Sequence, residues 1–456
     1  MNPIVVIGGG ITGLSAAYEL VSAGRPVTLI EAGPTLGGVI RTETIDGCTI
    51  EAGPDSFIAM KPAAHDLITE LGLGDQLIGS NDASRVTYIV RDGRLVPLPD
   101  GLMMMVPTRV LPVLRSPLLG FSTKLRMGLE LFRRALPHAP DRSVADFVAD
   151  HFGREAVDYL AEPLLSGVYG GDVARLSVES VLPRFVELER RSGSLTRGLL
   201  SARRRVPPSQ GPLFLTLRGG LGQLTAALEH RIRPDCRILR ASAVAITREQ
   251  GHYFVRVRDE SIAASGVIVA CPAWCASSLV APVHARLAEL LGSIEYSSSI
   301  TLSLGYRRER CGPIPPGFGF LVPARERGAL VACTFVGAKF SHRVPDSHHV
   351  LRCFLGGAGH ADVLEQPDSA ILASVRAELK KLLKWDVEPD FYHLSRWSRA
   401  MAQYPVGHAA RLAEIRSALT ELPGLQLAGN AYDGIGVPDC IRTARQAART
   451  LLAHLQ

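Results

Sequence analysis

The spacing of apolar residues changes several times along the chain, and each change marks a different kind of element. Ile4 to Ile7 form an unbroken apolar run, the mark of a strand buried on both faces. From Ile11 the apolar positions recur at helical spacing as far as Ala23, and Gly24 supplies the stop. "PVTLIE" (26–31) returns to a strand, so residues 3–31 predict one β-α-β unit. "RVTYIVRDGRLVPLP" (85–99) alternates about Asp92-Gly93, a hairpin signal. Helical spacing then dominates 107–205, in "FSTKLRMGLELFRRAL", "SVADFVADHFG", "REAVDYLAEPLLSGVY" and "SVESVLPRFVELERR". Beyond Pro207 strands take over: "PLFLTLR", "RILRASAVAIT", "HYFVRVRD" and "SGVIVAC", then "SITLSLGYR", "FGFLVPA", "ALVACTFV" and "HVLRCFLGG". A helix is predicted near 368–384. The end repeats the opening grammar: an apolar strand (Gln426-Leu427-Ala428), a glycine loop (Gly429 to Gly436) and an Ala-rich amphipathic helix.

The glycines of the first unit bring chemistry. Gly8, Gly10 and Gly13 form G-x-G-x-x-G between a strand and a helix. The first turns the chain, the second admits a pyrophosphate to the backbone, and the third lets helix and strand pack closely. Glu31 ends the second strand, about 20 residues on, where a carboxylate takes ribose hydroxyls and disfavours a 2′-phosphate. Gly37, Gly38 and Arg41 in "LGGVIRT" continue along an extended dinucleotide, and "EAGPDSF" (51–57) adds a further turn against its ring end. A second motif, "LRGGLGQLTAAL" (217–228), carries Thr225 at the third glycine position, which leaves it a tight strand-to-helix turn. One nucleotide motif with several further glycine turns favours a tightly held FAD over NAD.

Composition narrows the setting. With 456 residues, 46% of them hydrophobic, the chain is expected to form two or three domains. The net charge of +6 permits an acidic substrate or a membrane surface without requiring either, and nothing points to nucleic acid. For the arginine-rich run 190–205 a solvated helix face and an anionic partner stand equal. The eight cysteines occur singly and suit reduced thiols in a cytoplasmic protein better than disulfides or zinc, so no metal site is expected. The N-terminus lacks a signal peptide's charged region, and no stretch of 18 or more apolar residues predicts a spanning helix. The segment 95–121, apolar but broken by prolines and arginines, suits lying on a bilayer. His342, His348, His349, His360 and His408 lie in polar stretches and read as surface residues.

"GGGITGLSAAYEL…VTLIEAGPTLGGVIRT" resembles the flavin amine oxidase and phytoene desaturase superfamily. "EAGPDSF", "GVYGGDVARLS" (167–177), "RGGLGQL" and "GNAYDGIGVPDCI" narrow the resemblance, in order and end to end, to the oxygen-dependent protoporphyrinogen and coproporphyrinogen III oxidase family of haem biosynthesis. The resemblance implies an α/β plus α architecture: a discontinuous Rossmann-like FAD-binding domain (1–60, 213–290, 395–456), a mixed-sheet substrate domain (61–95, 291–394) and a helical membrane-facing or lid domain (96–212). It implies non-covalent FAD, its ADP half held by Gly8, Gly10, Gly13 and Glu31. Gly53, Pro54, Asp55 and Ser56 would lie along the flavin, the Val244 backbone would pair with adenine, and Trp397 would flank the isoalloxazine. Gly434, Ile435, Gly436 and Val437 would close the site, the last helix pointing its N-terminus at the pyrimidine ring from Asp439 or its neighbours. Arg85 would face a substrate propionate and Gly167 would line the porphyrinogen cavity, with strands near Phe335 and Phe354. A surface role for Arg85 at a strand edge remains the alternative.

In that reading hydride passes to flavin N5, molecular oxygen reoxidises the flavin to give hydrogen peroxide, and no side-chain base is nominated. The alternatives are another oxidase or desaturase of the superfamily and a non-catalytic FAD-binding module. Which porphyrinogen is used, whether the protein is a homodimer and whether it touches the inner face of the membrane stay open at this point.

Overall fold

A computed structural model describes residues 2–135, 140–205, 211–258 and 260–455. The end of the run at 121–136, the change of pattern at Pro207 and the side chains of Arg203 to Arg205 lie outside the described residues.

At the centre of the cofactor side is a five-stranded parallel sheet in the order Cys236–Arg240, Val27–Glu31, Ile4–Ile7, Gly266–Val269, Leu425–Leu427. Ile4–Ile7 and Gly266–Val269 are buried along their whole length, as apolar runs covered on both faces must be. The first helix, Ile11–Ser22, and the last, Val437–His454, pack together on one face of this sheet. The two chain ends thus meet at the carboxyl ends of the strands, where open α/β sheets take their ligands.

A second, seven-stranded mixed sheet runs Phe391–Ala402, Tyr296–Arg307, His348–Gly356, Leu330–Phe335, Gly319–Leu321, Thr87–Arg91, Arg94–Pro97. The hairpin at its edge turns through Asp92 and Gly93, both at positive φ, as the Asp-Gly pair predicts. Helix Asp368–Leu383 covers one face. Helices between Val110 and Arg205 form a third unit around Phe147, Phe152 and Leu160.

Three details differ from expectation. "RILRASAVAIT" is two strands: Cys236–Arg240 joins the parallel sheet, and Ala243–Glu249 opens a separate antiparallel one. The helix expected over 154–169 contains a wider turn, Val157–Ala161, just before Pro163, whose missing N–H breaks the regular ladder. Phe391–Ala402 is one continuous strand of the seven-stranded sheet, so a domain boundary at 394/395 falls inside it. Among the described residues no helix is long and apolar enough to cross a membrane.

Candidate active site

The first glycine turn is shaped partly by packing and partly by something else. A Cβ on Gly13 would lie 1.7 Å from the Gly8 carbonyl oxygen, and Gly8 itself sits at φ +107° against Ala270. Those two glycines are required by the fold. Gly10 is not: a Cβ there would meet only the Gly38 Cα, at 4.0 Å. It caps helix Ile11–Ser22, and no side chain caps that helix in its place. Open space at an uncapped helix N-terminus is a cradle for a phosphate anion. The Glu31 carboxylate closes one side, accepting from the Gly9 and Gly33 N–H groups at 2.6 Å each.

The next stretch lies alongside. Gly37 donates its N–H to the Gly9 carbonyl at 2.8 Å, and Gly38 packs on Gly10. The exposed Arg41 donates from Nε to the Gly38 carbonyl at 3.2 Å and lies 5.5 Å from the Trp397 ring centre. Trp397 is anchored in turn by its Nε1, which donates to the Ala52 carbonyl (2.9 Å) and Thr301 Oγ1 (3.2 Å).

Gly53 presses so closely on Val39 that a Cβ would stand 1.8 Å from the Val39 carbonyl oxygen. Pro54 follows, and then Asp55 takes Lys339 Nζ at 2.9 Å and the Ser56 hydroxyl at 2.7 Å. Burial works against the Asp55 charge. Lys339, Arg352 and Arg343 outweigh it and hold the carboxyl well below the usual carboxylate range. Beneath it the buried Arg343 donates to Glu51 (3.0 Å) and Thr216 (2.6 Å), while burial keeps the Glu51 carboxyl above its ordinary value.

The C-terminal loop completes the ring. Tyr404 Oη donates to the Asn430 carbonyl at 2.7 Å and accepts the Gly434 N–H at 3.0 Å. Gly434 is at φ +115° and turns the chain towards Ile435 and Gly436. The helix opens at Val437 with Gly436 as its cap and Pro438 in its first turn, two residues before Asp439. Asp439 turns back instead to bind Lys61 Nζ at 2.6 Å. Gly436 has ordinary backbone geometry and no atom within 3.0 Å of an added Cβ. Gly436→Val is expected to weaken FAD binding by about tenfold or more before it costs folding, since inside the protein an added Cβ meets nothing closer than the Asp439 carboxylate, at 3.1 Å. Full FAD occupancy in that variant would remove Gly436 from the site.

Val244 stands half-exposed at a bulge where the ladder skips it between Ala243 and Ala245, so its backbone edge is presented outward. Arg85 leads into the Thr87–Arg91 strand, half-exposed, with Asp82 3.6 Å away. Gly167, exposed near the end of helix Glu162–Tyr169, looks across at Leu321 of the seven-stranded sheet. Phe354 is half-buried, but Phe335 is sealed in the sheet core against Phe320. His408 is also no surface residue, being 1% exposed and stacked on Tyr404 at 4.2 Å. All eight cysteines are free thiols.

The arrangement fits FAD on two observations of its own. Gly10 is a glycine that the protein's packing does not require, a Cβ on Gly436 would meet nothing closer than the Asp439 carboxylate at 3.1 Å, and each starts a helix that no side chain of the described residues caps. The two glycines stand at opposite ends of the chain, and the residues that follow them, Ile11 and Val437, share one core cluster.

Residues 11–452 match the family of flavin containing amine oxidoreductases. The chain is 32% identical to coproporphyrinogen III oxidase of Bacillus subtilis (strain 168), over 99% of this chain and 98% of that one. It is 33% identical to coproporphyrinogen III oxidase of Propionibacterium freudenreichii, over 98% and 90%. Among solved structures, a protein of Exiguobacterium sp. 255-15 named provisionally as a protoporphyrinogen oxidase superposes with a TM-score of 0.89. It shares 33% identity over 99% of this chain and 98% of that one.

Proposed function

The chain belongs to the family of flavin-containing amine oxidoreductases, and from that premise we propose that it oxidises a porphyrinogen to the porphyrin, with coproporphyrinogen III as its substrate. It is an FAD enzyme. The observation that carries the reading is the end-to-end match to coproporphyrinogen III oxidases, which takes in both halves of the cradle.

Bound FAD supplies the two-electron acceptor for oxidation at carbon. The protein's part is to hold and orient. The uncapped start of helix Ile11–Ser22 would take the pyrophosphate, Glu31 the ribose hydroxyls, and the bulged Val244 backbone the adenine edge. Gly53 to Ser56, Trp397 and Gly434 to Val437 would hold the flavin end. The N-terminus of helix Val437–His454 would favour negative charge on the bound group through its dipole. Gly167, exposed beside Leu321 of the seven-stranded sheet, would line the porphyrinogen cavity. Arg85 fixes one of the porphyrinogen's carboxylates by charge-assisted hydrogen bonds, exchanging the weak contact with Asp82 for a stronger one. Molecular oxygen is the final acceptor, with hydrogen peroxide as its product.

Aerobic turnover of coproporphyrinogen III and protoporphyrinogen IX, followed by porphyrin fluorescence and peroxide yield, tests this reading. Anaerobic bleaching of the flavin by either one separates catalysis from passive binding, and an amine substrate in the same assay is the control for an amine oxidase. Bleaching by the amine alone would reject the proposal. Arg85→Ala is expected to raise KM roughly tenfold while leaving flavin content unchanged, as loss of one hydrogen bond to a charged group would. An unchanged KM would return Arg85 to the surface.

The helical unit supports contact with a membrane surface. Val110, Leu111, Leu114, Phe121, Leu125 and Phe132 are exposed together, beside Arg109, Arg115 and Lys124. Flotation with anionic vesicles is expected for the native protein and is expected to be lost in Phe121→Ser/Phe132→Ser. No flotation of the native protein would reject the contact.

A further inference from the structure

Lys339 and Arg352 each stand in an otherwise apolar stretch, yet they are only 9% and 4% exposed. Lys339 ends the short helix after strand Leu330–Phe335, and its Nζ lies 4.6 Å from the Phe214 ring centre and 5.2 Å from that of Phe340. Arg352 is on strand His348–Gly356 with its guanidinium 4.8 Å from Phe354. Burying cations among aromatic rings is costly unless the geometry repays it. Here both cations reach out of the seven-stranded sheet onto a single segment of the cofactor side. Lys339 Nζ donates to both Asp55 oxygens (2.9 and 3.1 Å) and to Ser56 Oγ (3.0 Å). Arg352 donates from Nη2 to the Gly53 carbonyl and sets Nη1 3.6 Å from Asp55. With Val39 pressed against Gly53 from the other side, the segment is gripped on two faces.

The charges do not cancel. Among the described residues Lys339, Arg343 and Arg352 pair with Glu51 and Asp55, which leaves one positive charge in excess when all are ionised. The Nε atoms of Arg343 and Arg352 are buried and have no hydrogen-bond partner among the described residues. A buried donor set with surplus positive charge calls for an anion nearby, because low dielectric makes it felt at short range. Reduction adds negative charge to a flavin ring, and fixed positive charge close to that ring favours the reduced state.

We propose that Lys339 and Arg352 are positioning residues for the flavin: they clamp Gly53–Ser56 and hold the surplus positive charge behind it, raising the flavin's two-electron potential. The proposal rests on the isoalloxazine lying along Gly53–Ser56, as set out under Proposed function. A merely structural clamp would change stability or FAD content and leave the potential of bound flavin where it was.

The test uses holoenzyme and no porphyrinogen, so its failure is separable from failure of the substrate assignment. The flavin's midpoint potential and its sulfite dissociation constant are measured in the native protein, Lys339→Met, Arg352→Met and Lys339→Arg. In both Met variants the sulfite dissociation constant is expected to rise about tenfold, equivalent to a fall of about 30 mV for a two-electron couple. Lys339→Arg is expected to keep the native values. If Lys339→Met does not retain FAD, Arg352→Met against Arg352→Lys decides by the same measure. Native potential and sulfite affinity in a Met variant that holds FAD would overturn the proposal, and so would Lys339→Arg behaving like Lys339→Met.

Discussion

Gly13→Ala is expected to yield a protein that purifies without FAD and melts well below the native one. The added methyl would stand 1.7 Å from the Gly8 carbonyl oxygen and 2.9 Å from its carbon, and neither is the flexible end of a side chain. Relief requires helix Ile11–Ser22 to withdraw from strand Ile4–Ile7, the central strand of the parallel sheet. That helix also carries the packing of helix Val437–His454, so the movement disturbs both halves of the cradle. Overpacking of this kind, against backbone, is expected to cost roughly 3 kcal/mol or more. Gly10→Ala makes the matched control, because its methyl enters open space. That variant is expected to melt with the native protein and yet bind FAD poorly. Native FAD occupancy in Gly13→Ala would show that helix and loop can separate without cost, against the geometry of the turn.

The cofactor side was legible because its signals are local. A fully apolar strand, a glycine turn and a helix with a defined stop lie within residues 3–31, and the same order recurs at 425–454. Patterns that depend on distant partners were harder to read. Phe391–Ala402 is a long strand at the margin of its sheet and carries Tyr392, Arg396, Ser398 and Arg399 on its exposed positions, so it shows no clean apolar alternation. "RILRASAVAIT" reads as one strand because nothing in its composition marks where the chain leaves one sheet for another. The Ala241 N–H is the last to pair with the Val27–Glu31 strand, through the Glu31 carbonyl.

The buried charges were missed for a related reason. Lys339 and Arg352 did leave a trace, each a lone cation inside an apolar run, which in a strand or buried turn asks for a buried acid. That acid, Asp55, lies 284 positions from Lys339, too far for any local pattern to pair them. His408 read as surface because its chain neighbours are polar or small, whereas its ring is covered by Tyr404 from the preceding segment.

A second large effect is expected far from the cofactor, in the helical unit. Glu130→Gln should loosen that unit by roughly 3–5 kcal/mol, the usual result of removing one charge from a buried ionic network. His151 is fully buried with its two ring nitrogens 3.0 Å from Glu130 and Glu189, and Arg142 adds a 2.7 Å bond to Glu189. Glu130 also accepts the Ser194 hydroxyl and the Leu195 and Thr196 N–H groups, and so caps helix Leu195–Arg205. Burial opposes ionisation of both carboxyls, but hydrogen bonds from His151 and their other partners prevail and hold each below its ordinary value of 4.5. A carboxyl depressed by folding adds stability that is complete above its unfolded pKa and drains away as pH falls through the folded one. Hydrogen-exchange protection over 144–205, corrected for the intrinsic pH dependence of the rate, is therefore expected to stay high in the native protein at neutral pH and to fall as the pH drops below about 4.5. In Glu130→Gln exchange should be fast already at neutral pH, with a shallower acid limb. Because Gly10, Glu31 and Gly436 lie in a different unit, FAD content should hold in that variant, and its loss would mean that the two units unfold as one.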